Sequence, residues 1–234
     1  MSANASANTS ANTSARTSAR TTDDPAADPA ANTAANTAAS AAFHRVRLAD
    51  ISPQAWRNGG GTTRELLLWP PTTSPAATQD WGVRVSVADI VRDGPFSSFP
   101  GVERWFAVVE GAGVTLTLPE GEHRLERGDA PVQFVGTAAP GCRLIDGATR
   151  DLNLMVRKGV GRMWKAQAGE PVDSRMRWRA LYAVTSVRVQ AEAGHSETLD
   201  PGTLLWSDSP NAGRWALQEQ GQGQALAYWM TLSQ

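Results

Sequence analysis

The amino-acid sequence predicts an all-β fold built from two related β-sandwich or β-barrel halves. From residue 43 onward the chain consists of short stretches of alternating or continuous apolar residues, separated by turns rich in Gly, Pro and Asp. No segment has the length and periodicity of a long helix. The strand pattern also repeats, because WFAVV (105–109) and LNLMV (152–156) match LYAVT (181–185) and AYWMT (227–231) in the same order. Two similar sets of short strands are typical of sandwiches and barrels.

Residues 1–42 are expected to form a disordered low-complexity tail outside these halves. The segment consists almost entirely of Ala, Ser, Asn, Thr and Asp and has no aromatic side chain, so it cannot bury enough apolar surface to offset the entropy of ordering. It lacks the continuous apolar core of a secretory signal. An organelle transit peptide is the weaker alternative, because three aspartates count against it.

The composition restricts the cellular compartments and the classes of binding partner that the protein can be expected to have. The formal net charge is −1, which offers no electrostatic case for binding nucleic acid or a membrane surface. The single cysteine, Cys142, excludes an intramolecular disulfide and fits a reducing compartment. No apolar run approaches the length of a membrane span. We therefore expect a cytoplasmic protein with no nucleic-acid or membrane partner.

The first half is predicted to occupy residues 43–158. Alternation predicts its strands, and Gly, Pro and Asp-Gly pairs predict the turns between them. In the stretch 81–88 the alternation is strict and places Arg84, Ser86 and Ala88 on one face. That face is small and polar, which suits either a lined cavity or an outward-facing edge. The predicted strands are 44–48, 62–69, 81–88, 102–110, 114–118, 124–127, 132–135, 142–145 and 151–157.

The second half, at residues 159–234, is predicted to be more divergent. The stretch 159–177 is too broken by Gly and Pro to be a long helix and is expected to be a connector. The strands predicted after it are 179–185, 186–191, 196–199, 203–207, 215–219 and 225–232.

The stretch WRNGGGTTRE (56–65) carries the least ordinary chemistry of the chain. Three consecutive glycines allow backbone N–H groups to approach an anionic ligand closely. Trp56 and Asn58 flank them with a stacking surface and an amide. The simpler interpretation is a flexible turn before a strand; because the loop leads into a strand with polar residues, we expect it to line a ligand pocket.

The combination of motifs resembles the HutD/Ves family of bacterial, cupin-like proteins. The resemblance is dense in the first half and loose after about residue 159. It implies a cupin-type jelly roll in two halves, a bicupin-like arrangement. For the HutD branch it implies an association with histidine utilisation (histidine catabolism), with no established enzymatic reaction. The matching motifs are WRNGGGTTRE (56–65), WGVRVSVADI (81–90), DGPFSSFPG (93–101), VVEGAG (108–113) and DGATRDLNLMV (146–156).

The metal ligands of a cupin are missing from the positions that this resemblance assigns to them. A metal cupin supplies His and Glu side chains from adjacent strands, because a divalent metal takes imidazole and carboxylate ligands. Counting back from Gly111 puts Arg104 at the glutamate position and residues 97–100 at the two histidine positions. The histidine of the second motif falls on Ala139. We therefore expect no metal and no other cofactor.

Polar side chains share one face on each of three predicted strands, 62–69, 81–88 and 151–157. If these are the concave faces of one barrel, an arginine, two carboxylates, an amide and two hydroxyls meet near the loop that contains Gly59, Gly60 and Gly61 (the glycine loop). Such a set suits a small carboxylate, which an arginine can grip at two points. The alternative is that Arg84 pairs with Glu65 or Asp151 in an internal salt-bridge network. The predicted ligand-binding residues are Trp56, Asn58, Gly59, Gly60, Gly61, Thr63, Glu65, Arg84, Ser86, Arg104, Asp151 and Asn153.

These residues leave three functions open. The first is a non-catalytic binding or regulatory protein for a small carboxylate. The second is a metal-independent cupin enzyme of isomerase or lyase type, in which burial raises the pKa of Glu65 or Asp151 so that it acts as a general base beside Arg84. The third is a protein that acts by pairing with another chain, a homodimer included. We favour the first function over an enzyme.

Overall fold

The computed structural model describes residues 43–71, 81–157, 159–173, 175–192, 194–218 and 225–233. The predicted tail at 1–42 and most of the predicted loop at 70–79 lie outside the described residues. Within the described ranges helical structure is confined to three 3₁₀ turns, at Leu48–Asp50, Gly136–Ala138 and Pro210–Ala212. None of these turns has the length or the apolar character needed to cross a membrane. The predicted all-β class is confirmed.

The described residues form nineteen strands. Those before residue 158 are β1 (His44–Arg47), β2 (Gln54–Ala55), β3 (Gly61–Trp69), β4 (Val83–Ile90), β5 (Gly94–Pro95), β6 (Glu103–Glu110), β7 (Val114–Leu118), β8 (Gly121–Leu125), β9 (Val132–Val135), β10 (Gly141–Leu144) and β11 (Thr149–Val156). Those after it are β12 (Val160–Lys165), β13 (Pro171–Val172), β14 (Trp178–Ala183), β15 (Val187–Ala191), β16 (Ser196–Leu199), β17 (Thr203–Ser207), β18 (Trp215–Leu217) and β19 (Ala227–Ser233).

Each half of the molecule is a pair of antiparallel sheets packed face to face, as expected for a cupin-type jelly roll. The first half combines a six-stranded sheet, β2-β3-β4-β11-β6-β9, with a four-stranded sheet, β5-β10-β7-β8. The second combines a five-stranded sheet, β1-β17-β14-β19-β12, with a four-stranded sheet, β13-β18-β15-β16. The repeat found in the sequence corresponds to equivalent neighbours, since β6 and β11 of the first half match β14 and β19 of the second. The prediction of two related halves is confirmed.

The predicted division into residues 43–158 and 159–234 differs from the structure in two places. Strand β1 lies in the second half, because it pairs with β17 from His44 opposite Trp206 to Arg47 opposite Thr203. The predicted connector at 159–177 contains β12, which pairs with β19 along its whole length, and the short strand β13. Pairing with a strand far away in sequence leaves no local signal, so the pattern of residues alone did not reveal either assignment.

Gly161 lies within strand β12 and does not interrupt it. A Cβ atom at this position would lie 2.5 Å from Val156 Cγ2 and 3.2 Å from the Trp105 ring. The glycine lets β12 approach the first half closely, which is a packing role for a strand glycine and not a break in the strand.

The two halves pack back to back through one apolar core. The six-stranded and five-stranded sheets face each other here, and most of the core residues are fully buried. Burying one large apolar side chain stabilises a fold by about 1.5–3 kcal/mol, so this packing decides which face of the six-stranded sheet points inward. The core includes Val85, Val87, Trp105, Leu152 and Leu154 from the first half and Trp178, Tyr182, Leu204, Tyr228 and Met230 from the second.

Candidate ligand-binding site

The opposite, concave face of the six-stranded sheet carries the predicted polar side chains. Antiparallel pairing of β11 with β4 and β6 sets the register, and a bulge between Glu65 and Leu67 adjusts the pairing of β3 with β4. Side chains at directly paired positions share a face of the sheet. The structure therefore brings the three predicted faces together, in the rows Thr63–Ala88–Asp151, Glu65–Ser86–Asn153 and Arg84–Met155–Arg104.

A cavity of about 510 Å³ opens on this face, and its walls include parts of the segments 54–58 and 95–99. Seven of the predicted site residues line it: Trp56, Asn58, Thr63, Arg84, Ser86, Arg104 and Asn153. Five do not: Gly59, Gly60, Gly61, Glu65 and Asp151. The cavity therefore uses the polar strand faces and the flanks of the glycine loop, but not the glycines.

Hydrogen bonds within the glycine loop occupy two of its amides. The Gly59 N–H donates to the Trp56 carbonyl oxygen at 3.0 Å, and the Gly60 N–H donates to Asn58 Oδ1 at 2.9 Å. These amides are not available to a ligand in this arrangement. The expectation that they face an anion is corrected: the loop is ordered by its own groups, and it presents the side chains on either side of it.

Close packing is the reason for glycine at two of these positions. A Cβ atom on Gly61 would lie 2.2 Å from the Asp89 carbonyl oxygen of β4. Gly59 adopts a φ of +66°, and a Cβ atom there would lie 2.5 Å from Arg92 Nη2, which donates to the Gly59 carbonyl oxygen at 2.6 Å. The glycines therefore hold the loop against β4 and Arg92.

Two side-chain contacts fix the wall of the cavity. Trp56 Nε1 donates to Thr63 Oγ1 at 2.8 Å, which joins the loop to β3. Arg84 Nε donates to Glu65 Oε2 at 2.8 Å, and Arg84 Nη1 lies 3.6 Å from Met155 Sδ. The internal ion pair considered for Arg84 is thus present with Glu65, which offsets the charge of that arginine.

Arg104 is the most unusual group in the cavity lining. Its side chain is 5% exposed, and only Nη2 has a hydrogen-bond partner, donating to Asn153 Oδ1 at 2.8 Å. Its Nε and Nη1 donors are buried without a partner among the described residues. Phe96, Phe99 and Phe134 surround the guanidinium, with ring centres 5.1, 5.6 and 5.1 Å from its central carbon.

The charge of Arg104 has no carboxylate partner in the part of the chain that the structure describes. Burial lowers the pKa of Arg104 to about 10, and the nearby charge of Arg84 adds to the effect. The guanidinium therefore remains protonated at neutral pH. Cation–π contacts with three rings stabilise it in part, yet buried donors without acceptors carry a free-energy cost of about 1–3 kcal/mol. An anion in the cavity would remove that cost.

Asp151 lies on the same sheet face but not in the cavity wall. It is fully buried, its Oδ2 accepts from Thr149 Oγ1 at 2.8 Å, and its Oδ1 has no partner in the described part of the chain. Burial raises the pKa of Asp151 to about 8, the Thr149 bond opposes the shift, and the charge of Asp89 adds to it. At neutral pH this side chain is mostly a neutral carboxylic acid.

The positions expected for cupin metal ligands lie around this same cavity. Ser97, Phe99 and Arg104 all line it. A guanidinium is a cation with donors and no acceptor, so this set of side chains does not fit a divalent metal. Among the residues with described positions, no three His, Cys, Asp or Glu side chains lie close enough together to hold a metal ion.

The sequence did not identify the aromatic part of the site. The motif DGPFSSFPG contained a signal, because two phenylalanines stand in a turn-rich stretch that is otherwise polar or small. Their role depends on the packing of segment 95–99 over the sheet, which sequence alone does not show. The lining residues that were missed include Arg57, Pro95, Phe96, Ser97, Phe99 and Phe106.

Several known proteins are similar in sequence to this chain. The model of the HutD family matches residues 48–227. Protein Ves of Citrobacter koseri is 42% identical over 105 residues, which are 44% of this chain and 52% of that protein. An uncharacterized 21.2 kDa protein in the hutC 3′ region of Pseudomonas putida is 34% identical over 110 residues, 47% of this chain and 56% of that protein. The chain thus spans about half the length of the curated relatives it matches.

A solved structure shares the fold over a longer range. HutD from Pseudomonas fluorescens SBW25, determined in a formate condition, superimposes with a TM-score of 0.69 at 29% sequence identity. The superposition covers 82% of this chain and 99% of that chain. The similarity therefore extends well beyond the segment aligned with the curated relatives.

Proposed function

This chain belongs to the HutD family, and from that premise we propose that it is a non-metal, cupin-like regulatory protein that binds a small carboxylate and is linked to histidine utilisation. One observation carries the carboxylate part of the proposal. Arg104 lines the cavity, is charged at neutral pH, and has two buried donors without a partner among the described residues. A carboxylate is the natural partner of a guanidinium, because its two oxygens match the paired N–H groups.

The surroundings of Arg104 suit a small organic acid. Asn153 holds Nη2 in place through its amide oxygen, and the Asn58 amide, whose oxygen is used within the loop, keeps its N–H donors for a ligand. Phe96, Phe99 and Phe106 provide apolar walls. A concave site of several hundred Å³ that combines apolar walls with polar groups is typical of small-molecule binding.

The link to histidine utilisation is proposed from the relatives and not from the site. The Pseudomonas putida relative lies in the hutC 3′ region, and the Pseudomonas fluorescens structure carries the HutD name. Formate is the smallest probe to try, because that structure was determined in a formate condition and formate has a carboxylate with no further group.

Calorimetric titration of the full chain tests the carboxylate proposal. The ligands are formate, urocanate, formylglutamate and formiminoglutamate, and formamide is the uncharged control for formate. We expect at least one acid to release or absorb heat with a saturable profile and to raise Tm, and formamide to do neither. No heat and no Tm shift with any of the four acids would refute the proposal.

Substitution of the arginine locates the binding. Arg104→Gln keeps a donor for Asn153 and removes the charge. It should weaken binding of the acid about 10- to 150-fold, since hydrogen bonds to charged groups contribute about 1.5–3 kcal/mol. Arg143→Gln is the matched control, because Arg143 is exposed on β10. Equal affinity in the wild type and Arg104→Gln would place the acid elsewhere on the protein.

A metal-independent enzyme of isomerase or lyase type is the second candidate. The pKa of about 8 for Asp151 favours it, because a general base works best with a pKa near the operating pH. Against it, Asp151 does not line the cavity and Glu65 is paired with Arg84. If an acid that binds is also converted, turnover that survives both Glu65→Gln and Asp151→Asn excludes them as the base.

A further inference from the structure

We infer that the ligand carries a second anionic group, which Arg57 recognises at the mouth of the cavity, so that the preferred class is a dicarboxylate. This inference rests on the proposed carboxylate site at Arg104. It adds the chemical class of the ligand and a residue that determines specificity.

The charge of the cavity lining is the first argument. The lining contains three arginines, Arg57, Arg84 and Arg104, and no acidic residue. Glu65, which is not in the lining, offsets Arg84 through their ion pair at 2.8 Å. Two guanidinium charges therefore remain without a carboxylate partner in the described part of the chain. One ligand carboxylate balances only one of them, and a concave site focuses the potential of the other on the ligand.

The position of Arg57 is the second argument. It stands between Trp56 and Asn58, two other lining residues, in the loop that is ordered by its own hydrogen bonds. Its side chain is exposed, and no hydrogen bond, ion pair or ring contact joins it to another described residue. Because the loop already fixes the backbone, only the side chain loses freedom when Arg57 binds an anion.

The two charges lie at different depths. Arg104 is 5% exposed and is surrounded by phenyl rings, whereas Arg57 is exposed at the solvent side. Ile90, Phe96 and Phe106 also line the cavity and suit the carbon chain of a ligand. A linear diacid would place one carboxylate at Arg104, its carbons along these apolar side chains, and its second carboxylate at Arg57.

A ligand series with one charge removed tests this arrangement. The probes are the diacids from malonate to adipate, each compared with its monomethyl ester by calorimetry on the full chain. We expect the best diacid to bind about five- to tenfold more tightly than its monoester. In Arg57→Gln the diacid and its monoester should bind within twofold of each other. Arg57→Lys should retain part of the preference.

The outcomes separate the two proposals. Acids that bind through Arg104 with no difference between diacid and monoester, or a preference that survives Arg57→Gln, would overturn the role of Arg57 and leave the carboxylate site intact. Failure of every diacid, every monoester and the four acids named above would remove both proposals. Arg57 is exposed, so its variants should fold, and an unchanged Tm without ligand confirms that they do.

Discussion

Replacing Asp151 by asparagine should remove a steep pH dependence from the stability of this protein. The carboxyl group is fully buried on β11 and has one hydrogen bond, from Thr149 Oγ1. Burial raises the pKa of Asp151 to about 8 because the charged form would lose its hydration. Asparagine has nearly the same shape, keeps an acceptor for Thr149 and has no charge to bury.

The magnitude follows from the difference between the folded and unfolded chains. Below pH 3.8, the ordinary pKa of an aspartate, the carboxyl group is protonated in both the folded and the unfolded chain. The contribution of Asp151 to the free energy of unfolding is then at its maximum. As the pH rises toward about 8, the unfolded chain ionises while folded Asp151 keeps its proton. The free energy of unfolding then falls by about 1.4 kcal/mol per pH unit, or about 2.7 kcal/mol between pH 5 and pH 7. Above the folded pKa this loss levels off.

Urea unfolding at pH 5, 6 and 7, followed by tryptophan fluorescence, measures this effect. The stability of Asp151→Asn relative to the wild type should increase by about 2.7 kcal/mol from pH 5 to pH 7. Asp146→Asn is the control, because Asp146 is exposed, and it should follow the wild type. A difference between Asp151→Asn and the wild type that is constant with pH would mean that Asp151 is already ionised in the folded chain, and would refute the reasoning.

Three further substitutions test the packing and the charges. Gly61→Ala puts a Cβ atom 2.2 Å from the Asp89 carbonyl oxygen and should lower the free energy of unfolding by about 1–3 kcal/mol in urea; an unchanged midpoint would contradict the packing role of this glycine. Leu154→Ala, in the fully buried core between the halves, should cost about 2–5 kcal/mol, and a cost below 1 kcal/mol would show that the halves repack. Burial opposes ionisation of Asp89, but two arginines of β3 and β11 outweigh it and hold the pKa of Asp89 below its ordinary 3.8. That stabilisation is present above pH 4 and is lost as the pH falls through the folded pKa, so Asp89→Asn should flatten the acid limb of stability against pH; an equally steep limb in the variant would assign acid unfolding to other groups.

Much of the first half could be predicted from the sequence because its strands obey a period of two. The strict alternation in 81–88 placed Arg84 and Ser86 on one face, and the structure has them opposite the buried valines of β4. The same rule placed Asp151 and Asn153 together on β11. A buried face repeats along a strand whatever its partner is, so this information is local.

The burial of the Arg104 guanidinium among aromatic rings could not be predicted, because it depends on segments that are far apart in the chain. In sequence it is one charged residue in an apolar strand, and the motif comparison identified it only as a side chain unsuited to a metal. Its isolation results from Phe96, Phe99 and Phe134, which come from two separate segments. Likewise, alternation predicted on which face of the sheet Asp151 lies. It did not predict that the side chain is fully buried, because that depends on the packing of the four-stranded sheet of the first half over this face.

The glycine loop shows a different limit of sequence reasoning. A run of glycines predicts close approach of the backbone to something, but not to what. Here Gly59 and Gly61 approach Arg92 and the β4 backbone, whereas the expectation was an anion. The residues before the glycines, Trp56, Arg57 and Asn58, are the ones that line the cavity.

Strand β1 makes the order of synthesis matter. Residues 44–47 are synthesised well before residues 203–206, which are their partners in β17. Until those residues are made, β1 has no partner strand, and a loop of such length closes slowly because of its entropy. A chain cut near residue 158 would yield two fragments. One would contain β1 without its partner strand, and the other would expose the unpaired edge of β17, which can pair with other chains and cause aggregation. The five-stranded sheet can therefore be completed only after β17 has been made, so the two halves are not expected to fold as independent domains one after the other.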